Sequence, residues 1–279
     1  MPFLYETHLH TCQASACGRS TGREHARFYQ DQGYTGIILT DHFFRGNTRV
    51  DRSLPWEVRI DLFWRGYEDA KEEGDKIGLD VFFGLEENHA GDEYLIYGLT
   101  KEYMKAHPEM ERWTRRQQLE EVHRAGGCVI QAHPFRIRDY MEKIRLGTLY
   151  CDGIEAANAG NEPLDDARAF RYGQEKGLVM TAGSDNHRSP HPSPFGVLLE
   201  KRLTGIGDYV KMILARRPIG LRVPEDRFTM PPGQETDERH RAWVLDEKER
   251  DIPADRQWME QVVLQERIND SESDTDAAG

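Results

Sequence analysis

Short apolar runs recur through this chain, and most of them stop at a histidine or an acid. Phe3-Leu4-Tyr5 leads into Glu6-Thr7-His8-Leu9-His10-Thr11. Gly36-Ile37-Ile38-Leu39-Thr40 ends in Asp41-His42, and Val81-Phe82-Phe83-Gly84-Leu85 ends in Glu86-Glu87-Asn88. Cys128-Val129-Ile130-Gln131 ends in Ala132-His133-Pro134, and Leu178-Val179-Met180-Thr181 runs into Gly183-Ser184-Asp185-Asn186-His187. A short continuous apolar run marks a strand buried on both faces, as in a parallel sheet.

Helical spacing fills the gaps between these runs. Ser20 or Thr21 can cap a helix through about Gln32, with Glu24 completing a capping box and Gly33 ending it. Trp56, Ile60, Phe63, Trp64 and Tyr67 predict one long helix over 55–77. Further helices are expected over 109–125, 165–176 and 206–215, and further strands over 94–98, 153–156 and 219–221. Roughly seven strands alternating with helices imply βα units and a parallel sheet. The length suits a barrel better than an open nucleotide-binding sheet. No Gly-x-Gly-x-x-Gly follows a strand, and there is no P-loop.

The texture changes near Glu225. Met230-Pro231-Pro232-Gly233 breaks regular structure, and apolar residues thin out apart from Trp243-Val244-Leu245 and 258–264. One weak helix is expected over 255–268, and 269–276 reads as disordered. Residues 1–224 are therefore expected to form the barrel. Residues 225–279 would be an acidic, partly disordered extension.

Charge follows the same division. The net charge of -12 is carried mostly by residues 225–279, with 16 acids against 7 bases. The first 224 residues hold 33 acids and 30 bases. That balance, without a basic aromatic-lined track, disfavours long nucleic acid. It leaves room for a small phosphorylated substrate held by local arginines. No apolar run is long enough to span a membrane, and the start of the chain lacks a secretion signal. The four cysteines (Cys12, Cys17, Cys128 and Cys151) form no Cys-x-x-Cys pair. A reducing, cytoplasmic setting is expected.

The residues at the run ends carry the chemistry. In a parallel α/β barrel all these ends converge on one face. His8 and His10, two apart on an extended segment, point the same way. His42, Glu86, His133, Asp185 and His187 would join them. Imidazole with carboxylate suits Zn, Mn or Fe. Five histidines exceed the needs of one ion, so two or three divalent ions are implied. The natural chemistry of such a cluster is phosphate-ester hydrolysis by a hydroxide held between ions.

The pattern resembles the PHP family, the polymerase and histidinol phosphatase superfamily. Five motifs carry the resemblance, in order over about residues 3–222: His8-Leu9-His10-Thr11, Thr40-Asp41-His42, Gly84-Leu85-Glu86, Ala132-His133-Pro134 and Gly183-Ser184-Asp185-Asn186-His187. It implies an α/β fold, a distorted (β/α)7 barrel of the PHP type with a trinuclear metal site at the strand C-terminal face. By the same resemblance one ion takes His8, His10, Glu86 and Asp185, a second shares Glu86 and takes His133, and a third takes His42 and His187. Two positions depart from the family pattern. Glu93 stands where a histidine is usual, and a carboxylate there would ligate and harden the site. Cys17 stands where an Asp or His is usual. Either it ligates as a thiolate, or the third ion is weak or absent.

Catalytic roles are expected for Glu86 and Asp185 through the ions they hold, and for Asp41 or His42 at the leaving group. Arg136, then Arg19, then Arg45 are the candidates for binding phosphate, each lying in a loop beside a metal motif. Glu87, Asn88 and His89 are read as supporting or surface groups. His25, His107, His123 and His240 are read as surface residues, and His191 as part of a rigid exposed loop. Trp56, Trp64 and Trp113 are read as core, with Cys128 and Cys151 as small hydrophobes. The expected activity is a phosphomonoesterase on a small metabolite or nucleotide. The alternatives are a phosphodiesterase on short oligonucleotides and a non-enzymatic metal-bearing sensor.

Overall fold

The capping box begins the first helix where its residues say it should. Thr21 accepts a hydrogen bond from the Glu24 N–H, and the Glu24 carboxylate accepts one from the Thr21 N–H. The computed structural model describes residues 2–138, 141, 143–190, 194–229 and 242–254. The expectations for 230–233, His191, His240, the helix over 255–268 and the tail over 269–276 lie outside the described residues.

In chain order the strands are β1 (Phe3–Glu6), β2 (Gly36–Leu39), β3 (Asp80–His89), β4 (Asp92–Tyr97), β5 (Cys128–Gln131), β6 (Ile144–Leu146), β7 (Gly153–Asn158), β8 (Val179–Gly183), β9 (Gly196–Leu199), β10 (Gly220–Arg222), β11 (Ala242–Leu245) and β12 (Asp251–Pro253). The helices are α1 (Gly22–Asp31), α2 (Trp56–Phe63), α3 (Arg65–Ile77), α4 (Lys101–Ala106), α5 (Arg115–Arg124), α6 (Pro163–Lys176) and α7 (Ile206–Leu214). The expected helix over 55–77 is two helices, parted at Trp64, whose indole stacks on Phe83 with centroids 3.8 Å apart. The expected helix over 109–125 is shorter at its start. Pro108–Arg112 is a 3-10 turn, and a second capping box, Thr114 with Gln117, begins α5.

Nine strands form one curved sheet in the order β10-β9-β1-β2-β3-β4-β5-β7-β8. β1, β2 and β3 are parallel, as are β5, β7 and β8. The sheet is not wholly parallel, contrary to expectation: β4 runs antiparallel to both β3 and β5, and β9 antiparallel to β1. The reason lies in the link between β3 and β4. It is only Ala90-Gly91, both with positive φ (57° and 106°), and a two-residue turn of that kind makes a hairpin. The sheet closes at its top, where the segments after β1 and β8 pair. Asp185 N–H donates to the His8 carbonyl at 2.8 Å and His10 N–H to the Asn186 carbonyl at 3.0 Å. The result is a distorted barrel.

Burial follows the apolar runs. Ile37, Ile38 and Leu39 of β2 are fully or almost fully buried, each such side chain contributing about 1.5–3 kcal/mol. Trp64 and Trp113 are buried and Trp56 packs beside them, as read from the sequence. Cys128 is buried among Tyr97, Ile130 and Tyr209.

Part of the region after residue 224 folds onto the barrel. Arg227 donates from Nε to Asp166 Oδ2 at 2.6 Å, and from its terminal nitrogen to the carbonyls of Asn158 and Asn161. Strands β11 and β12 join β6 in a separate three-stranded sheet. Lys143, just before β6, and Arg145 on it reach Asp251 at 2.9 Å each.

Candidate metal centre

Each prospective ligand stands where a strand delivers it. The segment after β1 stays extended because it pairs with the segment after β8. His8 and His10 therefore face one way, with their Nε2 atoms 3.1 Å apart. Gly183 makes room for His8 and Glu155. A Cβ there would lie 2.5 Å from His8 Cβ and 2.7 Å from Glu155 Oε1. An isolated bridge between the segment after β2 and strand β3 brings His42 beside Glu86. The antiparallel β4 starts at this face rather than ending there, so Glu93, paired with Asn88, enters the group from its strand's beginning. His133 and Asp185 hold left-handed backbones, with φ of 29° and 54°. Non-glycine residues adopt that conformation at a cost, most often at functional sites.

The donor atoms form one continuous cluster. His8 Nε2 lies 3.2 Å from Glu86 Oε1 and 3.5 Å from Asp185 Oδ1. His10 Nε2 lies 3.1 Å from Asp185 Oδ1 and 3.5 Å from Glu86 Oε2. An ion bonded at about 2.0–2.1 Å in a tetrahedron has ligands about 3.3–3.4 Å apart, so His8, His10 and Asp185 match its edges, while Glu86 reaches His8 with one oxygen and His10 with the other. Glu86 reaches further on both sides. Its Oε1 is 3.2 Å from His133 Nε2, which is also 3.5 Å from Glu93 Oε2. Its Oε2 is 2.6 Å from His42 Nδ1. The groups able to hold an ion are His8–His10–Asp185, His8–Glu86–His133, His42–Glu86–Glu93 and His10–His42–His187.

Two observations show that the residues fit metal rather than one another. Glu86 Oε2 and His42 Nδ1, though close, are both buried without an aligned hydrogen-bond partner, which is costly for groups meant only to pair. The Nε2 atoms of His8 and His10 face one another at 3.1 Å, and the two imidazoles repel if both are charged. A cation among them removes both problems.

Carboxylates and hydroxyls fix these rings from behind. Glu155, fully buried, places Oε1 3.0 Å from His8 Nδ1 and accepts from the His133 N–H and from Asn158 Nδ2 with Oε2. Ser15 Oγ contacts His10 Nδ1 at 3.1 Å and donates to Asp41 Oδ1 at 2.6 Å. His25 bridges the His10 carbonyl and Ser189 Oγ. Such supports set tautomer and ring direction.

Electrostatics follow from the packing. Burial alone would lower the His8 imidazole, but Glu155, Asp185 and Glu86 outweigh it and hold it well above its usual value. Burial would raise Glu86 and Asp185. His42 and His8 outweigh it for Glu86, and His8 and Arg136 for Asp185, so both carboxyls sit well below the usual range. Burial, His42 and His187 push His10 well down. Burial would raise the Cys17 thiol, yet hydrogen bonds with His187 and His42 bring it down to about 6.

No protein-family model matches this sequence, and no curated protein matches it. Solved structures do. A crystal structure from Bifidobacterium adolescentis, assigned by inference as a metal-dependent phosphoesterase, superposes with a TM-score of 0.51 at 18% identity, over 76% of this chain and 96% of that one. A two-domain protein from Bacteroides vulgatus contains a part assigned in the same way as a PHP-like metal-dependent phosphoesterase. It gives 0.54 at 17% identity, over 80% of this chain and 65% of that one. The fold is of the PHP type. PsfC of Pseudomonas syringae has a similar fold, with a TM-score of 0.52 at 14% identity over 81% of this chain and 93% of that one.

The PHP-type barrel brings together His8, His10, His42, Glu86, Glu93, His133, Asp185 and His187 on one face. Among the described residues Cys17 joins none of the groups able to hold an ion, though His187 and His42 lower its thiol. The arginines separate. Arg136 is buried, with NH1 2.7 Å from Asp185 Oδ2, and its other nitrogens donate to Asn158 and Asn161 at 2.6 Å. Arg45 turns to the Trp113 carbonyl, His89 and Glu87. Arg19 leaves its side chain exposed, while its N–H donates to the His187 carbonyl at 2.7 Å. Asp41 spends both oxygens on Thr11 and Ser15, so an acid acting at the leaving group has no free oxygen there.

His25 is a correction: it is wholly buried, not a surface residue, and burial lowers it to about 4. Glu155, Ser15 and Asn158 went unrecognised from the sequence. Glu155 alone left a trace, as a lone charge inside an apolar run.

Proposed function

We propose that this protein is a metal-dependent phosphomonoesterase acting on a small phosphorylated metabolite or nucleotide. The observation that carries the reading is the convergence of His8, His10, Glu86 and Asp185 donor atoms at 3.1–3.5 Å, extended through both Glu86 oxygens to His133 and His42. His8, His10, Glu86 and Asp185 would hold one ion, Glu86, His133 and Glu93 a second, and His42 and His187 with Cys17 a third. Ions in such a cluster polarise phosphoryl oxygens and make water acidic enough to attack at neutral pH.

The chain's own residues divide the remaining work. Glu155 keeps the His8 Nε2 face free for coordination by engaging Nδ1. Ser15 and Asp41 do the same for His10. Arg136 holds Asp185 through Oδ2 and leaves Oδ1 turned to the histidines. Arg19, exposed beside His187, offers a guanidinium with no side-chain partner among the described residues to the non-transferred oxygens of the phosphate. Asp41 is a positioning residue, and His42 is a ligand rather than a proton donor.

The test is orthophosphate release from a panel of sugar, amino-acid and nucleoside monophosphates, with short single-stranded oligonucleotides alongside, using protein loaded with Zn or Mn. Turnover of monoesters supports the reading. Cleavage of oligonucleotides alone points to a phosphodiesterase. No turnover of either, in protein shown to hold metal, refutes both.

A further inference from the structure

Beside the Glu93 end of the cluster lies a cavity of about 410 Å³, lined by Arg45, Asn88, His89, Ala90 and Arg115. Its walls come from the segments that carry the prospective ligands. Arg45 follows His42 by three residues, and Asn88 follows Glu86 by two. Asn88 Nδ2 donates to Glu93 Oε1 at 3.0 Å, which joins the cavity wall to the His42–Glu86–Glu93 group. A phosphoryl group at the cluster would have this space beside it for the rest of the substrate. A cavity of this size suits a small organic group.

Two arginines line the cavity, yet their charges are already met. Arg45 donates to the Trp113 carbonyl at 2.7 Å, places a second terminal nitrogen 3.1 Å from His89 Nε2, and has Nε 3.3 Å from Glu87 Oε1. Arg115 grips both oxygens of Asp92 at 2.6 Å, donates to the His89 carbonyl at 2.7 Å and reaches Glu249 at 3.3 Å. Arg145, 3.8 Å from Asp92, is held by Asp251 at 2.9 Å. The two lining guanidiniums thus face the carboxylates of Glu87, Asp92 and Glu249. An anion entering here gives up its water and finds no unmatched cation.

The cavity offers neutral hydrogen bonding instead. Burial, then Arg45, keeps the His89 imidazole uncharged at neutral pH. Its ring contacts with Arg45 and Gln118 are both at Nε2, and Nδ1 has no hydrogen-bond partner among the described residues. That nitrogen gives or takes a hydrogen bond according to the tautomer. A hydroxyl, donor and acceptor at once, satisfies either tautomer, whereas a carboxylate, acceptor only, satisfies one.

We propose that this cavity receives the leaving group of the substrate, and that it selects an uncharged, hydroxyl-bearing group, that of a sugar or a nucleoside, over one that carries a second anion. The inference rests on the phosphomonoesterase reading and names the substrate class for it. Glu249, which comes from the region after residue 224, is a specificity-determining residue, because its carboxylate helps to occupy Arg115.

The experiment measures kcat and KM on metal-loaded full-length protein for matched pairs: a hexose monophosphate against the bisphosphate of the same hexose, a nucleoside monophosphate against the bisphosphate of the same nucleoside, and glycerol phosphate against phosphoglycerate. The member without the second anion is expected to have a kcat/KM about tenfold higher or more. The hexose and nucleoside pairs show which uncharged group fits. Ala90→Phe, at an exposed position on the cavity wall, should raise KM about tenfold on the preferred substrate with kcat retained. Glu249→Gln keeps an oxygen for the Arg116 N–H and removes the charge, so it should narrow the preference within each pair. A second anion that wild type turns over equally well or better, an Ala90→Phe protein with unchanged KM, or a Glu249→Gln protein with unchanged preference overturns the proposal. Circular dichroism matching wild type excludes misfolding of the variants. No turnover of any pair, in protein shown to hold metal, refutes the phosphomonoesterase reading and this inference with it. Turnover without the preference refutes this inference alone.

Discussion

Glu155 Oε1 lies 3.0 Å from His8 Nδ1, and both side chains are fully sealed from solvent. An unpaired buried carboxylate is costly, so this one is retained for what it does to the imidazole. It selects the tautomer whose Nε2 faces Glu86, Asp185 and His10. Its other oxygen holds the His133 N–H, so one carboxylate orients two prospective ligands.

Glu155→Ala should weaken metal binding by about 10- to 100-fold. Glu155→Gln, which can still accept at one position, should fall between the variant and wild type. Competition with a chromophoric chelator measures this. Equal affinity in all three proteins would remove Glu155 from the support of the site.

Metal binding should be steeply pH-dependent. His8 is held well above its usual pKa by Glu155, Asp185 and Glu86, so in chelated protein it carries a proton at neutral pH. An ion must displace that proton. Affinity therefore rises with pH and falls as the solution is acidified. Calorimetry in buffers of different ionisation enthalpy should report net proton release on binding. A binding enthalpy independent of buffer would contradict this.

Acid should also destabilise the fold through His89. Burial, then the neighbouring Arg45, lowers its imidazole to about 3, while the unfolded chain titrates near 6.5. The unfolded state binds the extra proton between those values, so stability is full above about pH 6.5 and is lost as pH falls toward 3. The loss is of order 5 kcal/mol when complete. Urea midpoints at pH 7 and pH 5 should lie closer together in His89→Asn than in wild type. An unchanged gap would show that His89 does not carry the effect.

Arg227 should matter to a site it does not touch. It binds Asp166 at 2.6 Å, Asp166 accepts from Asn161 at 2.7 Å, and Asn161 accepts from Arg136 at 2.6 Å. Arg136 in turn holds Asp185. Asp166 is fully buried and burial raises its carboxyl to about 7, so Arg227→Ala lets it take up a proton and loses a charge-assisted hydrogen bond, at a cost of about 1.5–3 kcal/mol. Thermal melts check the stability loss. Arg227→Lys, which keeps charge but not the fork, should recover part of the stability and little of the carbonyl clamp. A melting temperature within a degree of wild type for Arg227→Ala would refute the coupling.

These relationships divide by how visible they were in the chain. The candidate ligands His8, His10, His42, Glu86, His133, Asp185 and His187 were legible because each follows an apolar run, and a barrel gathers such ends. Glu93 was located by its neighbours, but its role at a strand start depended on the Ala90-Gly91 hairpin. His25 was misread although the spacing held the answer: Gly22, His25, Ala26 and Tyr29 are all buried on one helical face. The Glu155–His8 and Asp41–Ser15–His10 contacts join residues far apart in sequence. No local pattern encodes which strand faces which, so only the folded sheet shows those partners. β9 was missed because Gly196-Val197-Leu198-Leu199 is short and pairs antiparallel to a strand nearly two hundred residues earlier.

The most direct test is orthophosphate release by chelated protein as a divalent ion is titrated back, on the monoester most rapidly turned over in the panel. The account predicts no release without ion, recovery as the ion binds, and loss of that recovery in Asp185→Asn. Release that persists in chelated protein, or that Asp185→Asn leaves unchanged, would contradict it.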